Sequence, residues 1–162
     1  MFKNRLILCP TDFSPAAAAA FDVACTLARA HGARVEVLHV AAPVASFGDV
    51  VASQEEGFRD DVRDRLNYVQ SSDPAVGVTH VLLEGKPAEV ILDVAQGHGS
   101  DLIVMGTHGR SGIGRLVLGS VAEMVLRNAP CPVLSVKATA AEPVPGARVQ
   151  ASGVEEAPAV TE

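Results

Sequence analysis

Short, largely apolar runs of strand length, separated by segments with helical signals, leave a chain few ways to fold. Five such runs occur here: Leu6–Cys9, closed by Pro10; Val35–Val40; Val78–Leu83; Leu102–Met105; and Cys131–Val136. Each reads as a strand. Between the first two, Ser14 offers an N-cap, Pro15 suits the first helical position, and Phe21, Val23, Leu27 and Ala28 lead to a stop at Gly32. Phe58, Val62, Leu66 and Val69 mark an amphipathic helix after a loop over 43–53. Its charged residues, Arg59, Asp60, Asp61, Arg63, Asp64 and Arg65, read as a solvated face. A third helix starts at Gly85-Lys86-Pro87, turns Val90, Ile91, Val94 and Ala95 inward, and ends at the glycines 97 and 99. A fourth begins near Ser120, where Ser120-x-x-Glu123 has the form of a capping box. Strands that alternate with helices predict an α/β fold with a doubly wound parallel sheet covered on both faces. In such sheets ligands bind beyond the carboxyl ends of the strands, where the winding direction switches.

A length of 162 residues suits one domain. With 4% aromatic residues and no Trp, its core must be built from Val, Leu, Ile and Ala. Residues 138–162 contain no Leu, Ile, Phe or Met. Too little bulk is present there to offset ordering entropy, so the expected organisation is a domain over 1–137 followed by a flexible Ala/Pro/Glu-rich tail over 138–162. Cys9, Cys25 and Cys131 show no CxxC spacing, which argues against a disulfide framework or zinc site and for a reducing compartment. The apolar run near the N-terminus is too short for a signal sequence, and no stretch approaches the ~18 residues of a membrane span. A cytoplasmic protein without membrane contact is expected. The formal net charge of −6 argues against a nucleic-acid binder driven by bulk electrostatics.

The segment from Met105 to Ser120 holds five glycines between an apolar strand and a helix start. It is either a long surface loop or an anion site built from main-chain N–H groups. Charge favours the anion site: no acid lies between Asp101 and Glu123, whereas Arg110 and Arg115 do. Other phosphate and catalytic motifs fail on spacing. Gly85-Lys86 lacks the first glycine and the Ser or Thr of a P-loop, Gly112 and Gly114 are followed by Val117 rather than glycine, and Ile113 breaks GxSxG. No HxxxH or HExxH is present. His31, His39, His80 and His98 share no spacing, and no role follows for them.

Gly106-x2-Gly109-x9-Gly119-Ser120 is similar to the nucleotide-binding signature of the ATP-binding branch of the universal stress protein family. Ile7-Leu8-Cys9-Pro10-Thr11-Asp12-Phe13-Ser14 resembles that family's first strand and turn, Leu38-His39-Val40 its second-strand end, and Pro130–Val136 its last strand. The resemblance spans residues 1–137. It implies a Rossmann-like, five-stranded parallel sheet in the order 3-2-1-4-5 and a homodimer through Val133–Val136, which would cover an aggregation-prone edge. It also implies ATP (or ADP or AMP) with Mg²⁺ or Mn²⁺, held where strands 1 and 4 part. Gly106, Gly109, Gly119 and Ser120 would wrap the phosphates and ribose, with the flanking Met105 and Val121 counted in the site. Pro10, Thr11 and Asp12 would line the base and ribose side, and Val40 would lie against the adenine. Asp12 could place the divalent ion, or it could simply form an Asx turn before the Ser14 cap. His108 could donate to ribose or phosphate, and Arg110, added on charge, could meet the phosphates.

The implied function is that of an ATP-binding stress-response module in which occupancy shifts a conformational or partner equilibrium. The alternative is a slow ATPase or phosphotransfer enzyme on the same site. For that chemistry the loop offers only His108 and the hydroxyls of Thr107, Ser111 and Ser120, with Asp12 as the outside acid, so dedicated catalysis is not expected. A nucleotide-free interaction scaffold is the third possibility, and the intact glycine spacing counts against it.

Overall fold

The computed structural model describes residues 3–41, 52–107 and 119–137, with the side chains of 52–58 left aside. The elements alternate: β1 (Leu6–Pro10), α1 (Pro15–His31), β2 (Arg34–Ala41), α2 (Ala52–Asn67), β3 (Val78–Glu84), α3 (Pro87–Gly97), β4 (Leu102–Gly106), α4 (Ser120–Asn128) and β5 (Val133–Val136). All strand pairs are parallel, and the sheet order is β3-β2-β1-β4-β5. This is the doubly wound, Rossmann-like order expected above. The tail over 138–162 lies outside the described residues.

The period of two along the strands sends side chains to opposite faces. Ile7, Cys9, Val35, Val37 and Val104 meet Ala20, Phe21, Ala24 and Ala28 of α1 and Leu66 of α2. Leu8, Leu38, Ile103 and Met105 meet Ile91 and Val94 of α3 and Ala122 and Val125 of α4. The first two crossovers run toward β3 and the last two toward β5, so right-handed connections require this division of helices between the faces. The alanine repeat of α1 at every fourth position lets that helix lie close to the sheet.

Local signals set both ends of α1. Ser14 caps α1, its Oγ accepting from the Ala17 N–H at 3.2 Å, and Pro15 follows. Gly32 ends the helix in the left-handed region, at φ 60°. One expected cap is corrected. Gly119, not Ser120, is the N-cap of α4, and it makes no side-chain cap bond. Glu123 is therefore one position too far along the helix for a capping box, and its carboxylate pairs with Arg127 at 2.8 Å instead. Helix α2 starts at Ala52, slightly before the expected loop ends, and stops at Asn67, so Val69 lies beyond it. Its charged face is exposed as expected, with two additions. Arg59 pairs with Glu84 of β3, and the Arg65 guanidinium lies 4.4 Å from the centre of the Phe13 ring.

At the amino end of the sheet the Asp101 carboxylate accepts from the backbone N–H groups of Lys3 (2.7 Å), Asn4 (3.0 Å) and Leu6 (3.1 Å). Partial desolvation acts to raise its pKa, but the N–H donors outweigh that and hold it below the ordinary 3.8. Nearby, the buried Glu36 of β2 meets His98 Nδ1 at 2.8 Å. Burial pushes the Cys9 thiol up to about 12, with Cys25 adding to the effect, so Cys9 behaves as a packed apolar residue.

Candidate functional site

After β1 the chain turns to α1 on one face, and after β4 it leads to α4 on the other. The carboxyl ends of these adjacent strands therefore part, and a cleft of about 210 Å³ opens between them. Six segments line it, Ala17 of α1 among them. Pro10, Thr11 and Asp12 come from the end of β1, Leu38, His39 and Val40 from β2, and Pro87 and Ile91 from α3. Met105, Gly106 and Thr107 follow β4, and Gly119, Ser120, Val121 and Ala122 begin α4. One wall, made by Leu38, Val40, Ile91 and Met105, is apolar and suits a flat ring. The first turn of α4, which also lines the cleft, brings main-chain N–H groups and the positive end of the helix dipole, which suits an anion.

The two ends of the glycine segment are brought together by the backbone. Gly119 N–H donates to the Thr107 carbonyl at 2.9 Å, while Thr107 N–H donates to Val136 of β5 at 2.9 Å. His108, Gly109, Arg110 and Arg115 belong to residues 108–118, outside the described residues. The remaining expected site residues, Pro10, Thr11, Asp12, Val40, Met105, Gly106, Gly119, Ser120 and Val121, all line the one cleft.

The Thr11–Ser14 turn is held by its own side chains. Thr11 Oγ1 accepts from Phe13 N–H at 3.1 Å, and Asp12 Oδ1 accepts from Ser14 N–H at 3.0 Å. The Asx turn considered for Asp12 is thus present, and the same residue faces the cleft. Phe13 sits at φ 62°, a conformation that costs a non-glycine residue on the order of 1–3 kcal/mol and tends to collect at functional turns. Among the described residues lining the cleft, Asp12 is the only carboxylate. No group of three or more His, Cys, Asp or Glu side chains suited to a metal occurs among the described residues.

Sequence reasoning gave no site role to His39, Ala17 or the α3 wall of Pro87 and Ile91, and named Thr107 only for its hydroxyl. His39 precedes Val40 at a strand's carboxyl end, and that position was the available signal. Pro87 and Ile91 carried none, because only the long crossover from β3 to β4 brings α3 over this cleft.

Comparisons with known proteins agree with this architecture. The family described as Universal stress protein family matches residues 3–137. The Thermus aquaticus protein described as "Universal stress protein in QAH/OAS sulfhydrylase 3'region" is 41% identical over 144 residues, covering 85% of this chain and 100% of its own length. The solved structure of MJ0577 from Methanocaldococcus jannaschii is similar at TM-score 0.71 and 27% identity, over 85% of this chain and 98% of its own. Two further structures share the fold and hold an adenine nucleotide. One is a universal stress protein in complex with cAMP (TM-score 0.56, 24% identity, 83% of this chain and 97% of that one). The other is a family protein from Arabidopsis thaliana with AMP bound (TM-score 0.54, 19% identity, 85% and 93%).

Proposed function

The chain belongs to the universal stress protein family, and on that footing we propose that its cleft binds an adenine nucleotide, ATP (or ADP or AMP), as a regulatory module of the stress response. One observation carries the reading: an apolar wall, a helix N-terminus and the Asp12 carboxylate converge where β1 and β4 part. In this reading the adenine lies against Val40, with Pro10, Thr11 and Asp12 beside base and ribose. The phosphates meet Gly106, Gly119 and Ser120, joined by His108, Gly109 and Arg110 from the glycine segment. A divalent ion, Mg²⁺ or Mn²⁺, fits the donor set, since such ions are usually held by one or two carboxylates together with phosphates. Asp12 Oδ1 is engaged by Ser14 N–H, leaving Oδ2 for the ion.

Binding energy can regulate only by favouring one of two states, so occupancy would be read by a partner or by assembly. For assembly we take the outer edge of β5 as the homodimer contact, because β5 ends the sheet and Leu134 there is 39% exposed. No helix among the described residues is long and apolar enough to cross a membrane.

Calorimetry on nucleotide-stripped protein with ATP, ADP and AMP, each with Mg²⁺, tests the site. Saturable binding tightest for ATP is expected, with loss of binding in Gly109→Val. Absence of heat for all three nucleotides overturns the reading. Mass spectrometry of small molecules released from fresh protein identifies the resident ligand.

A further inference from the structure

His39 has no task in the reading above, although it lines the cleft beside Val40. Its Nδ1 lies 2.8 Å from the Thr11 carbonyl oxygen. A carbonyl only accepts, so Nδ1 carries the proton and donates. The Thr11 N–H in turn donates to the Leu38 carbonyl at 2.8 Å. Both main-chain groups of Thr11 are therefore held by consecutive residues of β2, just where the β1 ladder ends at Pro10. The same imidazole stacks on Phe13, with ring centroids 4.6 Å apart and a tilt of 33°. Arg65 of α2 covers Phe13 at 4.4 Å. Phe13 is the residue at φ 62°, so its backbone stays there only because its surroundings hold it.

We infer that His39 is a positioning residue for the cleft's ligand. Through the Nδ1–H bond to the Thr11 carbonyl it holds the 11–13 turn, and with it Asp12, in the conformation that meets the nucleotide. This inference rests on the nucleotide reading for its ligand. Its contacts do not. A histidine donor at Nδ1 can be imitated by the side-chain amide of Asn, whose nitrogen is also bonded to Cγ. Gln places its amide one carbon farther out, and Leu supplies none.

The test compares wild type with His39→Asn, His39→Gln and His39→Leu in two measurements. Calorimetry with ATP and Mg²⁺ should show binding weakened about three- to tenfold in the Gln and Leu variants, and within about twofold of wild type in Asn. Hydrogen exchange on ligand-free protein should show the Phe13 and Ser14 amides exchanging faster in Gln and Leu than in wild type or Asn. A histidine that merely packs would lower thermal stability without separating Asn from Gln in either measurement. Equal affinities across all variants, or loss of affinity in Asn alongside the others, overturns the inference. If wild type takes up no nucleotide, the functional reading falls and hydrogen exchange alone decides. Faster exchange confined to the 11–14 turn then supports positioning, and unchanged exchange overturns it. Should the Leu variant fail to fold, the Gln–Asn pair carries the same comparison.

Discussion

A Cβ built on Gly106 would lie 2.9 Å from both the carbonyl carbon and the Cβ of Ala16. Side chains do not approach a backbone that closely, so α1 can rest on the end of β4 only if position 106 is glycine. The signature's first glycine thus has a packing reason beside any role it has toward a ligand. The two roles share one cause, because the same close approach of α1 shapes the cleft wall.

Gly106→Ala should destabilise the protein by about 1–3 kcal/mol, as overpacking against backbone does. Thermal unfolding without nucleotide would show a clear fall in Tm. An unchanged Tm would mean that α1 shifts freely and that the close contact is not structural.

Ser120→Ala separates capping from binding. Because Gly119 is the N-cap, loss of the Ser120 hydroxyl should change stability by less than about 0.5 kcal/mol, whereas removing a true capping serine costs ~1 kcal/mol. Nucleotide affinity should fall in the same variant. A large drop in Tm with affinity intact would restore the capping box.

Asp101→Ala should lower Tm by an amount that depends on pH. The folded-state pKa of Asp101 is depressed by its backbone donors, so its contribution is present above the ordinary value of 3.8. It is lost as pH falls from there through the lowered folded value. The Tm difference between wild type and variant should be constant in the neutral range and narrow only below that point. A difference that is the same at every pH would show that the three N–H contacts do not depend on the charge.

Leu134→Asp should leave the monomer folded, because the side chain is already 39% exposed. A charge at the centre of a β5–β5 contact would be desolvated without a partner. Sedimentation velocity should report a dimer for wild type and a monomer for the variant. A variant that remains dimeric places the contact elsewhere.

Element types, and the helix ends closed by local chemistry, were legible in the residues. Ser14 caps α1 through Ala17, three residues on, and Gly32 stops it with its own backbone. The limits of local reading show at Ser120. Its four-residue pattern satisfies the capping-box rule, yet the Glu123 N–H bonds to the Gly119 carbonyl, so the helix starts one residue earlier. Arg59 and Arg65 look like any solvated helix charge until β3 and Phe13 are brought beside them. Candidate site residues at strand ends came from the resemblance to the universal stress protein family, and the parallel sheet explains why they lie at the strands' carboxyl ends. His39 lay within the Leu38-His39-Val40 stretch that resembles the family's second-strand end, but the resemblance gave it no role.

The sequence by itself determined the glycine spacing and the five strands and four helices of the described residues, since periodicity, caps and turns are interactions over a few neighbouring residues. Only the tertiary structure decided which distant groups meet. His39 reaches Thr11 across 28 positions and Glu36 reaches His98 across 62. Each crossover between strands carries its own face and direction, and a contact over such a span depends on all those between its ends. The same accumulation places α3 over the cleft and leaves Asp12 as the single described carboxylate in its wall.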